Sequence, residues 1–166
     1  MLLGGIYMLH LAVVEEKGTR LAEKIGGKFA SQNRGQSLRV TRANCLSELK
    51  SSFDLLVIAG EKLAPPVEKK VQVYSRAVLV PDASPRELFA HIHSKWAVSF
   101  GLSSKASITL SSIEPETAML ALQRELVTLE NKVLEQQEIP LKLDGKSTAT
   151  QALALYGALL LLGLSP

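Results

Sequence analysis

The apolar positions of this chain change period along its length, and the changes mark its elements. Ile6 to Val14 is an apolar run broken by His10, the texture of a strand buried on both faces. Thr19 then stands as a helix cap, and Leu21, Ile25 and Phe29 follow at i, i+4 and i+8, one face of an amphipathic helix. Gly26-Gly27 weakens that helix and Asn33-Arg34-Gly35 ends it. Ser37 to Thr41 reads as a short strand and Cys45 to Lys50 as a short helix. Phe53 to Gly60 is the clearest buried strand, and a polar connection through Pro65-Pro66 leads to another at Arg76 to Pro81. Ser84-Pro85-Arg86-Glu87 has the cap, first-turn proline and N3 glutamate of a helix start, with Leu88, Phe89 and Ile92 turned inward. Strands alternating with helices predict a mostly parallel sheet with helices on both faces.

The texture changes after His93. Trp96 to Leu102 and Ala106 to Ile113 read as strands. Met119, Leu122, Leu126, Leu129 and Val133 then recur at three-four spacing, which favours a helix. Glu130-Asn131-Lys132 is turn-like inside that segment, and Ile139, Leu141 and Leu143 alternate as in a strand. A turn with a helix cap at Asp144 to Thr148 opens a final run, Ala152 to Leu164, almost wholly apolar yet shorter than the ~20 residues of a membrane span. A helix buried nearly all round is expected there.

Composition narrows the classes. The chain has 166 residues, 46% of them hydrophobic, enough for one domain (1–166) with its own core. Its net charge of +3 comes from scattered lysines and arginines without interleaved aromatics, so no nucleic-acid partner is expected. The single Cys45 excludes an internal disulfide and suits a cytoplasmic location. Met1 to Val14 lacks a basic leader and a small-residue cleavage site, so a core strand is expected there rather than a secretory signal.

Candidate chemistry is sparse. Glu15-Glu16-Lys17-Gly18-Thr19-Arg20 lies where an α/β nucleotide-binding protein keeps its phosphate loop. It has one glycine, no Gly-Lys-Ser or Gly-Lys-Thr ending, and two carboxylates where phosphate needs positive charge. Asp144-Gly145-Lys146-Ser147-Thr148 carries Gly-Lys-Ser, but Pro140 stands where that motif needs its first glycine. Free N–H groups at a helix start can still hold an anion, which makes Lys146 and Ser147 phosphate-site candidates. His91 and His93 diverge on a helix, and no further ligand completes a metal site, so no metal is expected. Ser103-Ser104-Lys105 has no separate base or orienting group.

An ordered series in the second half carries a resemblance. It runs from Arg76-Ala77-Val78-Leu79-Val80-Pro81-Asp82-Ala83-Ser84-Pro85 through Trp96-Ala97-Val98-Ser99-Phe100-Gly101-Leu102 and Ala106-Ser107-Ile108-Thr109. It ends with Ile139-Pro140-Leu141-Lys142-Leu143-Asp144-Gly145 and Gln151-Ala152-Leu153-Ala154-Leu155. This resembles the ATP-binding central domain of the Mur ligases, which include the UDP-N-acetylmuramyl pentapeptide synthases. In that family a strand ends in an Asn-Ala-Asp-Asp-Pro-like turn, antiparallel strands come later, and a glycine–histidine–asparagine turn opens an alanine- and leucine-rich helix. Gly18-Thr19 matches the start of the family's phosphate loop, and its Gly-Lys-Thr/Ser end is missing. Ala59-Gly60-Glu61-Lys62 stands in place of the Asn…Asp-His segment, and Lys146-Ser147-Thr148 in place of histidine–asparagine.

The resemblance implies a three-layer α/β fold: a mostly parallel sheet flanked by helices, with an antiparallel β extension in the second half. It therefore places strands, not a helix, in 118–134. It also implies that ligation chemistry is lost, because nothing remains to stabilise a transferring phosphoryl group. The expected function is a non-catalytic domain binding a small ligand or a protein, a second copy of the chain included, with no cofactor. One alternative is an ATP–Mg²⁺-dependent, ligase-type or nucleotide-binding enzyme with a rebuilt site, in which Gly18, Thr19 and Arg20 meet Asp82 while Lys146 faces the phosphates. The other is a membrane-peripheral protein held by the last helix.

Overall fold

A computed structural model describes residues 7–32, 35–60 and 70–166. Among these residues eight strands form one sheet. They are β1 (Met8–Glu15), β2 (Ser37–Ala43), β3 (Ser52–Ala59), β4 (Val73–Pro81), β5 (Ile92–Phe100), β6 (Ile108–Ile113), β7 (Thr117–Leu122) and β10 (Gln137–Lys142). A small hairpin, β8 (Leu126–Val127) with β9 (Val133–Leu134), stands apart. The helices are α1 (Leu21–Ser31), α2 (Arg86–Phe89) and α3 (Ala149–Leu161). The order across the large sheet is β10-β7-β6-β5-β4-β3-β1-β2. β2, β1, β3, β4, β5 and β6 pair in parallel, and β7 and β10 add antiparallel. The fold is thus α/β, with a mostly parallel sheet and an antiparallel extension at β6, β7 and β10.

Alternation along each strand builds two cores. Leu11 and Val13, Leu55 and Val57, and Leu79 face α1 and α3. Ala12 and Val14, Leu56 and Ile58, and Val78 and Val80 face the other way. α1 buries Leu21, Ile25 and Phe29, the predicted stripe, and runs through Gly26-Gly27 unbroken. α3 is apolar nearly all round because it meets both the sheet and α1. It approaches the sheet so closely at Gly157 that a Cβ there would lie 3.1 Å from Leu79 and 3.2 Å from Ile108. The opposite face has only slight helical cover. A 3₁₀ turn at Leu46–Glu48 supplies Leu46, and α2 supplies Leu88.

The ends of α3 follow from local chemistry. Thr148 accepts the Gln151 amide at 3.2 Å while the Gln151 side chain accepts the Thr148 amide at 3.0 Å, a reciprocal capping box. At the other end Gly163, with φ of 80°, lets its own amide reach Leu160 O and the Leu164 amide reach Leu159 O. Thr148→Ala is expected to cost about 1 kcal/mol in urea unfolding, with little change in midpoint as the contrary result.

Three expectations need correcting. The helix predicted at Ser84 is a single turn, its cap position is Pro85, Phe89 is exposed, and Ile92 opens β5. Thr19 does not cap α1. The cap position is Arg20, in a left-handed conformation with φ of 56°, and the Thr19 hydroxyl donates to Glu16 O instead. His93 lies on β5, stacked on Tyr74, rather than on a helix with His91. The segment 118–134 is strand and hairpin, as the resemblance implied, with Asn131 at φ of 62° in the turn. The three-four spacing misled because β7 buries alternate residues (Ala118, Leu120, Leu122), while Leu126 and Leu129 reach the core from the hairpin. Pro140 is accommodated because β10 is an edge strand. Asn33-Arg34, Glu61-Lys62 and Pro65-Pro66 lie outside the described residues.

Candidate ligand cleft

β2 and β3 lie on opposite sides of β1, so the chain's direction of winding reverses between β1 and β3. In open α/β sheets the crevice outside the carboxyl ends of the strands at such a reversal is the usual ligand site. Here a cleft of about 310 Å³ opens there, between the starts of α1 and α3. Glu16 follows β1, Ala59 and Gly60 end β3, and Phe100 ends β5. α1 contributes Leu21 and Lys24; α3 and its cap contribute Thr148, Thr150, Gln151 and Leu155. The lining is apolar at the base with hydroxyl, amide and charged groups around it, as small-molecule sites are.

The start of α1 already holds an anion. Glu15, the last residue of β1, is fully buried. One of its carboxylate oxygens accepts the Leu21 and Ala22 amides at 2.7 and 3.3 Å. The other accepts Arg42 Nε at 2.9 Å, across from β2. The free N–H groups and dipole of a helix start attract negative charge, and a buried carboxylate needs such donors. The chain therefore supplies its own anion where a phosphate loop would receive a phosphate.

The turn before α3 is held by a second carboxylate, here an exposed one. Asp144 accepts the Lys146 amide at 2.9 Å, the Ser147 amide at 2.8 Å and the Ser147 hydroxyl at 3.0 Å. These bonds, Lys146 first, bring its carboxyl from an ordinary 3.8 down to about 2. Lys24 Nζ bridges the two helix starts, donating to Ser147 at 3.1 Å and standing 3.7 Å from Asp144. Because the folded value is depressed, Asp144 contributes stability above its unfolded pKa and loses it as pH falls through the folded one. Asp144→Asn is expected to flatten the stability change between pH 3.8 and about 2, measured by urea midpoints. An unaltered profile in that window would count against it.

The structure brings together only part of the set predicted from sequence. Thr19 and Ser147 line the cleft. Gly18 belongs to the turn before α1, with φ of 98°. Arg20 turns to Glu23, 2.8 Å away, on the exposed side. Asp82 ends at the neighbouring loop, where it accepts the Ser103 amide at 3.2 Å and packs on Gly101 so closely that a Cβ there would overlap it. Lys146 contributes its amide to Asp144 and its side chain is exposed. Glu16, Lys24, Phe100, Thr150 and Gln151 were not singled out from sequence. Thr148-x-x-Gln151 carried a legible capping signature; the others had none. Among the described residues no group of three or more His, Cys, Asp or Glu converges as a metal site. Comparison of the sequence with protein-family models and with curated proteins finds no match.

Proposed function

We propose that this chain is a Mur-ligase-like α/β domain that no longer handles phosphoryl groups and binds a small, phosphate-free ligand in the cleft above β1 and β3. The observation that carries this reading is Glu15, whose buried carboxylate occupies the start of α1. A phosphate brought there would meet fixed negative charge instead of free amides. Asp144, though exposed, takes the Lys146 and Ser147 amides of the second candidate anion site. The likeness in scaffold is supported by the parallel sheet, the antiparallel extension and an alanine- and leucine-rich last helix, in that order.

The groups left facing the cleft suit hydrogen-bonded recognition of a polar ligand on an apolar base. Glu16 offers an acceptor; Thr150 and Gln151 offer hydroxyl and amide groups; Leu21 and Leu155 supply apolar contact, with Phe100 buried behind them. The rebuilt-enzyme reading is not favoured, because Arg20 pairs with Glu23, Asp82 accepts from Ser103, and Lys146 does not line the cleft. Nor is membrane anchoring by the last helix, since Leu153, Ala158, Leu159 and Leu161 are buried against the sheet. Among the described residues no helix is long and apolar enough to cross a membrane.

Calorimetric titration with ATP–Mg²⁺ tests the reading. No binding heat is expected up to about millimolar nucleotide, the weak end of the affinity scale. Saturable micromolar binding with slow hydrolysis would overturn it.

A further inference from the structure

A second cavity, of about 580 Å³, lies between α1 and α3 on the far side of the Lys24–Ser147 bridge. Leu143, Ala152, Leu155 and the Tyr156 ring form its apolar wall. The Tyr156 hydroxyl is engaged, donating to Lys142 O at 2.8 Å, so the ring meets the cavity mainly as a surface. Lys24, Lys28 and Lys142 stand around it. Asp144 is the one carboxylate in the lining, and its oxygens are already taken by Lys146, Ser147 and Lys24. Neither Lys28 nor Lys142 has an ion-pair partner among the described residues. On α1 this wall is open at Gly27, where an added Cβ would meet nothing within 4 Å.

We infer that this groove binds an amphipathic organic anion, with its apolar body on Leu143, Ala152, Leu155 and Tyr156 and its acidic group between Lys28 and Lys142. With Lys24 paired to Asp144, Lys28 and Lys142 remain to favour negative charge, and the wall favours an apolar body over a bare ion. Both features are needed together. Lysines alone on an open surface hold anions weakly, and an apolar wall alone has no preference for charge. The groove shares Lys24, Ser147 and Leu155 with the cleft above β1 and β3, but Gly27, Lys28, Lys142 and Tyr156 line the groove and not the cleft.

The test is a fluorescence titration of the full chain with 8-anilinonaphthalene-1-sulfonate, an aromatic sulfonate of this class. Saturable one-to-one binding is expected. Gly27→Leu, which places a side chain into the open wall at a helical position, is expected to weaken it at least about tenfold. Lys28→Glu with Lys142→Glu is expected to do the same, while Lys105→Glu with Lys132→Glu, the same charge change elsewhere, leaves affinity unchanged. Far-ultraviolet circular dichroism checks that each variant is folded. The proposal is overturned by absence of saturable binding, by equal loss in the control pair, or by unchanged affinity in Gly27→Leu. It is also overturned if inorganic phosphate displaces the dye at comparable concentration, since the apolar wall would then contribute nothing. Gly27, Lys28 and Lys142 line only this groove, so ATP–Mg²⁺ binding that Gly27→Leu and the Lys28→Glu with Lys142→Glu variant both retain would overturn the cleft reading and leave this one standing.

Discussion

Glu15→Ala is expected to destabilise the fold by about 3–5 kcal/mol, a large part of the total stability of a domain this size. The residue has no exposure to solvent, and its carboxylate is the common acceptor for three donors. Its removal leaves the first amides of α1 without their acceptor and the Arg42 guanidinium without its counter-charge. Glu15→Gln keeps an oxygen for the amides but not the charge, so a smaller loss of about 1–3 kcal/mol is expected. A double-mutant cycle with Arg42→Ala separates the ion pair from the helix contacts. Urea unfolding is the measurement. A loss in Glu15→Ala below about 1 kcal/mol would show that the carboxylate does not hold these elements together. The same variant probes the functional reading. With the internal anion gone, added sulfate is expected to raise its midpoint more than that of the unaltered protein, because the helix start becomes a vacant anion site.

Phe100→Ala is expected to cost about 3–5 kcal/mol, from lost burial plus the cavity left behind. Phe100 is fully buried at the end of β5 and pairs with Pro81 of β4 on one side. On the other it pairs with Ile108, the one ladder pair between β5 and β6. It is also the foot of the cleft. The residue therefore joins the parallel sheet to its antiparallel extension. Phe100→Leu, which retains most of the volume, is expected to lose about 1 kcal/mol. Trp96, the only tryptophan, lies on β5 and reports this region by fluorescence. In Phe100→Ala the fluorescence and circular-dichroism transitions are expected to separate as the extension loosens first. Coincident transitions with a loss below about 1.5 kcal/mol would remove Phe100 from that role.

Much of the architecture was legible along the chain. Continuous apolar runs marked β1, β3 and β4, because strands covered on both faces need apolar residues at every position. The stripe of Leu21, Ile25 and Phe29 marked α1, and the turn with a helix cap at Asp144 to Thr148 before an apolar run marked the start of α3. Periodicity failed at 118–134. Three-four spacing there came from β7 and from a hairpin docked under α3 through the Leu129 amide to Leu161 O, not from one helix face. It also failed at 84–92, where the signals of a helix start were present but the chain turned into β5 after one turn.

The sequence by itself determined the kinds and order of the elements outside 84–92 and 118–134, and the lack of a glycine-rich lysine loop after β1. It could not say what fills the space that such a loop would leave. That was decided only when β1, β2 and α1 came together, since Glu15 finds Leu21 and Ala22 by a short turn but Arg42 only through pairing of β1 with β2. The physical reason is that a buried carboxylate is tolerable only where donors converge on it, and their convergence is a property of the fold rather than of any local pattern. The lysine-edged groove has the same origin: Lys24 and Lys28 on α1 and Lys142 on β10 are far apart along the chain and share a charge environment only in three dimensions.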